Sequence, residues 1–385
     1  MSYLDKLLEG HEVEWKTLGE YTDYEQPTKY RVNSKEYKDE YETPVLTAGK
    51  TFILGYTDET NGIYKASEKP VIIFDDFTTA NKWVDFDFKV KSSAMKMITS
   101  KDESFALLKY IYYWLNTLPS GLVDGDHKRQ WISNYSNKEI PIPCPGNPKK
   151  SIEIQQKIVD ILDKFTELTA ELTAELTARK QQYAYYREQL LSFDENEVEW
   201  KALREVGEYS KDRISFDKLN EDNYVGVDNL LQNREGKTIS TKVPTKGNST
   251  KYIENDILIG NIRPYLKKIW FSDRTGGTNG DVLVIRLNEH NLSPRYLFQV
   301  LADDKFFEYN MQHSKGAKMP RGNKSQIMEY KIPIPPIEEQ ERIVSILDKF
   351  DVLTSSISEG LPKEIELRQK QYEYYREQLL TFPKA

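Results

Sequence analysis

Cysteine is nearly absent from this 385-residue chain: Cys144 stands alone, so neither an internal disulfide nor a cysteine-based zinc framework can form. Flanked by Pro143 and Pro145, it reads as an inert loop thiol, and a reducing, cytoplasmic setting fits. No run of about 18 apolar residues occurs, which speaks against a membrane span. The opening MSYLDKLLEGHEVEW lacks the basic-then-apolar pattern of a secretory leader. Histidine is scarce, and His11, His127, His290 and His313 do not fall at metal-ligand spacings. Catalytic signatures are missing too. There is no GxxxxGK[ST] loop for ATP, and Gly276-Gly-Thr-Asn-Gly280 lacks the spacing of a nucleotide loop. The Asn/Asp-Pro-Pro-aromatic motif of an adenine or cytosine methylase does not occur. Nothing here marks an enzyme.

Positive charge is also in deficit, with a formal net charge of −7, against the basic footprint usual in a nucleic-acid binder. Its distribution is uneven, however. Residues 234–274 carry nine Lys/Arg against four Asp/Glu, and residues 305–331 carry six against two. The second half therefore holds basic regions of a size that permits DNA binding. With 38% hydrophobic and 30% charged residues, the chain is long enough for two or more globular domains.

What the sequence does contain is a copy of itself. Ile158-Val-Asp-Ile-Leu-Asp-Lys-Phe165 recurs as Ile343-Val-Ser-Ile-Leu-Asp-Lys-Phe350, and Val13-Glu-Trp-Lys16 recurs as Val198-Glu-Trp-Lys201, both 185 residues on. The segment from Arg179 to Leu191 returns at Arg368 to Leu380, and Ile140-Pro-Ile-Pro143 returns as Ile332-Pro-Ile-Pro335. Four matches in the same order establish a tandem duplication. Between Trp15 and Ile140 the halves bear little likeness to the stretch between Trp200 and Ile332. A duplicated frame with two different inserts suggests two different things being read.

The repeated segments predict long helices. Ile154, Ile158, Ile161, Phe165, Leu168, Leu172 and Leu176 recur at steps of three or four, with Tyr183, Tyr186 and Leu190 continuing the stripe. Pro145 and Pro148 punctuate its start, and Ser151 is the expected N-cap. The second copy runs from about Glu338 with Ile343, Ile346, Leu347, Phe350 and Leu353 on one face, breaks near Gly360, and resumes to Leu380. Each stripe needs a partner, and the other copy is the nearest, giving a coiled-coil-like pair over 147–193 and 338–382. Thr169-Ala-Glu-Leu172 and Thr173-Ala-Glu-Leu176 form a smaller repeat, worth about 6 Å of helix per unit. It reads either as a spacer whose copy number sets a distance, or as slippage tolerated on a helix face. The ends, Tyr3 to Leu8 and Tyr375 to Leu380, both match Tyr186 to Leu191, a circular arrangement with pseudo-two-fold symmetry.

Each insert mixes strands with a helix. Pro70–Phe74 and Ser93–Ile98 read as strands and Ser104–Leu115 as a helix; in the second half Asp256–Gly260 and Asp281–Arg286 read as strands, and Ser293-Pro294 starts a helix to about Met311. The common order predicts one α/β fold for both. Basic, polar loops lie between these elements, from Asn261 to Lys268, from Gly316 to Asn323, and from Gly125 to Trp131. Arg, Lys, Asn and Gln pair with base edges and phosphates, and loops on a rigid scaffold are where such contacts sit. The candidate DNA contacts of the first insert are Lys50, Thr78, Thr79, Lys82, Lys96, Lys128, Arg129, Gln130 and Trp131. Those of the second are Asn261, Arg263, Tyr265, Lys267, Lys268, Lys315, Lys318, Arg321, Asn323 and Lys324. The pair Asp75-Asp76 is expected to shape a turn rather than hold a metal.

In combination these motifs resemble the specificity subunit of Type I restriction–modification enzymes, over essentially the whole chain. Ile-Pro-Ile-Pro stands before each helix, Ile-Leu-Asp-Lys-Phe within it and Tyr-Tyr-Arg-Glu-Gln-Leu-Leu at its end. The Thr-Ala-Glu-Leu tandem looks like the spacer repeats of one subgroup, and Asn261 to Ile269 and Gly316 to Gly322 look like sequences common in the recognition domains. The resemblance implies two α/β target-recognition domains, 1–146 and 194–337, alternating with two helical spacers, 147–193 and 338–385. It implies a bipartite double-stranded DNA target and a non-catalytic role. Two methylation subunits would bind the helical regions and restriction/translocase subunits would join them. S-adenosylmethionine, ATP and magnesium would belong to those partners, with no cofactor in this chain. The other reading is a coiled-coil adaptor with two protein-binding domains.

Overall fold

The computed structural model describes residues 3–49, 51–119, 129–356 and 358–384. The chain forms two compact α/β units, residues 1–168 with 368–385, and residues 169–367. Among the described residues no helix is long and apolar enough to cross a membrane.

In the first unit the main sheet runs in the order Thr22–Glu25, Met95–Ser100, Val71–Asp75, Asn81–Val84, every neighbour antiparallel. The strand Val71–Asp75 is buried at every position because both its faces are covered. Ile72 and Phe74 enter the core with the helix Leu108–Leu115, while Val71 and Ile73 enter a second cluster with Leu46, Phe88 and Val90. The second unit repeats this plan. Gly207–Tyr209, Val282–Leu287, Ile257–Gly260 and Ile269–Phe271 form an antiparallel sheet of the same topology. Ile257 and Ile259 face one core cluster and Leu258 the other. One fold thus underlies two inserts of unlike sequence, as their common element order predicts.

The repeated motifs build the frame of each unit. Val13–Thr17 pairs with Glu139–Pro143 as a two-stranded antiparallel ribbon, with Trp15 opposite Pro141 and Lys16 opposite Ile140. In the second unit Trp200 lies opposite Pro333 and Lys201 opposite Ile332. Flanking bonds from Leu18 N–H to Lys138 O and from Cys144 N–H to Glu12 O fix the phase of the first ladder. Stepping by two from these bonds, Ile140 and Ile142 carry the ladder, and Pro141 and Pro143 turn their missing donors outward. Proline on the outer edge also blocks a third strand.

The helix Pro148–Leu190 starts behind Asn147, whose side-chain oxygen accepts from Lys150 N–H at 3.2 Å. Asn147 is therefore the N-cap, not Ser151, because Pro148 already fits the first helical position. Its first turns bury Ile154, Ile158 and Leu162 in the first core, with Leu379 and Leu380 of the helix Gly360–Leu380. Phe165 stacks on Tyr375. In the second unit Ile343 and Leu347 of the helix Ile337–Ser355 enter the core, and Phe350 stacks on Tyr183 and Tyr186. Each unit therefore packs the end of one repeat against the beginning of the other.

Two polar contacts are duplicated as well. Buried Gln155 accepts from Leu107 N–H and donates to Phe105 O, both at 2.9 Å; buried Gln340 accepts from Ser293 N–H at 2.8 Å and donates to Asn291 O at 2.9 Å. Lys109 pairs with Asp163 at 3.3 Å, and Arg295 with Asp348 at 2.9 Å. Each pair ties a domain helix to the repeat.

Two local expectations are corrected. The helix expected from Ser104 begins at Leu108, since Asp102 takes Ser104 N–H and Glu103 takes Leu108 N–H. The single helix expected from Ser293 to Met311 is two, Pro294–Leu301 and Asp304–Gln312, because the Asp303 side chain caps the second by accepting from Lys305 N–H. Gly276 and Gly277 lie in a strand, where a Cβ on Gly276 would come within 2.0 Å of Asn223 O; close packing requires this glycine, not a nucleotide.

Candidate nucleic-acid interface

In the second unit the chain leaves the strand Ile257–Gly260 through a hairpin loop that returns at Ile269. Asn261 N–H donates to Asp281 O and Gly260 N–H to Lys268 O. Arg263 and Lys267 both adopt left-handed backbone around the turn Pro264–Leu266. A second loop closes against it. Arg263 N–H donates to Pro320 O, Gly322 N–H to Asn261 O, and Lys315 and Arg321 exchange backbone bonds at 2.9 Å. The two loops that the sequence singled out are therefore one zipped structure.

Its surface carries Arg263, Tyr265, Lys315, Lys318, Arg321 and Lys324, all exposed. Arg321 Nη1 donates to Asp281 Oδ1 at 2.7 Å. Asn323 is half-buried and caps the helix Lys324–Ile327 through Ser325 N–H. Lys267 is half-buried and paired with Asp304 at 2.7 Å. Lys268 points inward, 9% exposed, and donates to Val227 O; burial lowers its pKa. Asn261 is buried. In this structure Lys268 and Asn261 support the loops rather than present themselves to a ligand.

In the first unit Asp75 Oδ1 accepts from Phe77 and Thr78 N–H, making a tight turn with Thr79 in left-handed backbone. The paired carboxylates thus shape a turn, and no cluster of metal-ligating residues occurs among the described residues. Asp76 is fully buried: its carbonyl accepts from Gln130 N–H and its Oδ1 from Trp131 N–H, both at 2.9 Å. Its Oδ2 lies 3.7 Å from Lys96 Nζ and 3.9 Å from Arg129 Nη1. Lys96 is 1% exposed, sits over the Tyr24 ring, and has its pKa lowered by burial against the opposing pull of Asp76.

Thr78, Lys82 and Arg129 are exposed. Thr79, Lys96, Gln130 and Trp131 are buried, and Trp131 packs edge-on against Phe74 in the core. These four take structural positions: Thr79 closes the turn, Lys96 lies in a strand buried on both faces, and Gln130 and Trp131 are the buried face of a one-turn helix. Lys50 and Lys128 lie outside the described residues.

Sequence reasoning missed Asp76 and Asp281 as partners of arginine, and Asn310, buried beside Gly322 and Asn261. It also missed Gln155, Gln340, Asp163 and Asp348. The last four were within reach, since they are polar residues shared by the two helical repeats at one offset of 185.

Comparison with known proteins agrees with the duplication and the fold. The Type I restriction modification DNA specificity domain matches twice, at residues 11–179 and 195–367. The EcoR124I/EcoR124II specificity subunit of Escherichia coli is 54% identical over 400 residues, covering 100% of this chain and 98% of that protein. A putative type I restriction enzyme specificity subunit of Haemophilus influenzae is 30% identical, covering 99% of this chain and 98% of its own. The crystal structure of the S subunit of M. genitalium shares the fold, with a TM-score of 0.65 at 16% identity, covering 98% of this chain and 97% of that one.

Proposed function

The chain belongs to the Type I restriction–modification DNA specificity family, and from that premise we infer that it is the non-catalytic subunit that reads DNA sequence for its complex. The observation that carries this is the duplication itself. One frame is built twice and bears two loop sets of different sequence, which suits a bipartite target with one half-site per domain. Exposed Arg263, Lys315, Lys318, Arg321 and Lys324 in the second unit, and Thr78, Lys82 and Arg129 in the first, are the surface for phosphates and base edges. Recognition domains at 1–146 and 194–337, with helical spacers at 147–193 and 338–385, are the division this reading favours.

Two methylation subunits dock on the repeated helical regions and restriction/translocase subunits join that assembly, in the cytoplasm. S-adenosylmethionine, ATP and magnesium enter with those partners. Methylation chemistry requires the target adenine to leave the stack, which the methylation subunits perform. The net charge of −7 is compatible with DNA binding if the partners supply much of the phosphate contact. The Thr-Ala-Glu-Leu tandem supports a spacer-repeat subgroup as part of this reading, with its copy number setting the gap between half-sites.

Co-expression with the cognate methylation subunit, followed by genome-wide sequencing of methylated bases, tests this. A two-part motif that disappears when this chain is omitted is expected. Methylation at the same sequences without the chain would refute the reading.

A further inference from the structure

The two loop structures follow one plan. In each unit a backbone N–H just ahead of or opening a short helix ties that segment to the residue following the central strand: Gln130 to Asp76 O, and Gly322 to Asn261 O. The residue immediately before the tied one is an arginine both times. Arg129 and Arg321 are 192 residues apart, the same offset as the two Ile-Pro-Ile-Pro strands that follow them. They are therefore equivalent positions of the duplication, although the sequence around them has diverged.

Both arginines expose about half of their side chains, 48% and 55%, and each is met by a carboxylate. Arg321 Nη1 donates to Asp281 Oδ1, and Arg129 Nη1 lies 3.9 Å from Asp76 Oδ2. Among the described residues each turn also keeps a buried oxygen without a hydrogen-bond partner, Asp76 Oδ2 in one and Asn261 Oδ1 in the other. Such atoms are rare in native folds and call for an explanation. As buried acceptors they shape the turn, and the group at each turn able to meet a ligand is the exposed arginine beside it. Gly322 enforces the arrangement, since a Cβ there would lie 2.4 Å from Asn310 Oδ1 and 2.6 Å from Asn261 Oδ1.

We propose that Arg129 and Arg321 each read one guanine, one in each half of the bipartite target, with Asp281 as a positioning residue for Arg321. The proposal rests on the specificity-subunit reading above. The guanidinium is a planar fork of donors, and guanine presents two neighbouring acceptors, O6 and N7, in the major groove. At Arg321 the Asp281 carboxylate on one edge of the fork fixes its plane and leaves the remaining donors to a base. A phosphate contact at the same arginines would weaken all sequences alike and carry no base preference.

The test uses the full chain assembled with its methylation subunits, read by methylome sequencing. Arg321→Gln is expected to relax one guanine in one half-site, with discrimination there falling about 5- to 150-fold, while the other half-site stays unchanged. Arg129→Gln is expected to relax a guanine in the opposite half. Arg321→Lys keeps the charge and should retain binding while losing the base preference. Asp281→Ala should relax the same base as Arg321→Gln, and Asp281→Glu should restore it, at an unchanged melting temperature. Unaltered motifs in both arginine variants, or equal weakening of every sequence, would overturn the proposal. If the unmodified complex methylated without any two-part motif, the specificity-subunit reading itself would fall, whatever the arginines do.

Discussion

Tyr110 donates its hydroxyl hydrogen bond to the carbonyl of Pro141 at 2.8 Å, and Tyr296 does the same to Pro333 at 3.2 Å. Both tyrosines are fully buried, and burial raises their pKa. The ribbon explains the pairing. Residues opposite each other in a non-hydrogen-bonded pair turn both backbone groups outward, and proline leaves only a carbonyl to satisfy. In the first unit Trp114 Nε1 takes the next outward carbonyl, that of Glu139, at 2.8 Å. The helix thus covers the outer edge of the ribbon.

Replacing Tyr110 with Phe should strand the Pro141 carbonyl in the core and cost about 1–3 kcal/mol. Urea unfolding of the full chain measures it. A change indistinguishable from zero would mean that the carbonyl finds water or another donor.

Gln155→Leu and Gln340→Leu should each destabilise by about 1–3 kcal/mol, because each leaves a backbone N–H and a carbonyl unpaired at the start of a domain helix. The duplication predicts similar losses at the two sites. A large loss at one and none at the other would show that the frames have diverged in energy despite their common geometry.

Lys268 and Lys318 separate support from contact. Lys318 is exposed, so Lys318→Ala should weaken binding to all DNA sequences and lower the salt slope by about one. Lys268→Met should leave both unchanged. Burial lowers the Lys268 pKa, so between its folded and unfolded values the unfolded chain binds more protons, and native stability rises with pH there. The native chain should therefore gain on the Met variant as pH climbs toward about 10.4, the unperturbed lysine value. A constant difference between the two unfolding curves across that range would contradict this.

The frame was largely legible in the sequence, because Trp15, Pro141, Ile158 and Phe350 belong to exact or near-exact repeats and their periodicity fixes which face is buried. The shared fold of the inserts was legible from element order. The interface was only partly so. Charge and loop position single out Arg129 and Arg321 but also Lys96 and Lys268, whose side chains turn inward. No local pattern distinguishes a lysine that donates to Val227 O from one that faces solvent, since the partner lies 41 residues away. The helix break at Asp303 escaped notice for a similar reason: its carboxylate caps Lys305 and also meets Arg187, 116 residues earlier.

The spacer tandem gives the most specific expectation. Thr173 and Thr177 each donate a side-chain bond to the carbonyl four residues back, and Leu168, Leu172 and Leu176 are half-buried on the neighbouring row, about 100° around the helix. Phe165 and Arg179 are 14 residues apart within one continuous helix, whereas Phe350 and Arg368 are 18 apart across the break between the helices Ile337–Ser355 and Gly360–Leu380. Inserting one more Thr-Ala-Glu-Leu after Leu176 adds about 6 Å of helix and just over one turn. Residues at i and i+4 share a face, so the stripe beyond the insertion, with Tyr183 and Tyr186 stacked on Phe350, keeps its phase. Each domain retains its own loops, so the half-sites should stay the same while the gap grows by one or two base pairs. Deleting Thr173 to Leu176 should shorten it. A two-residue insertion instead rotates the stripe by about 200° and should abolish assembly. Methylome sequencing of the four-residue insertion decides the matter: an unchanged gap, or a half-site of altered sequence, would mean that this helix does not set the spacing.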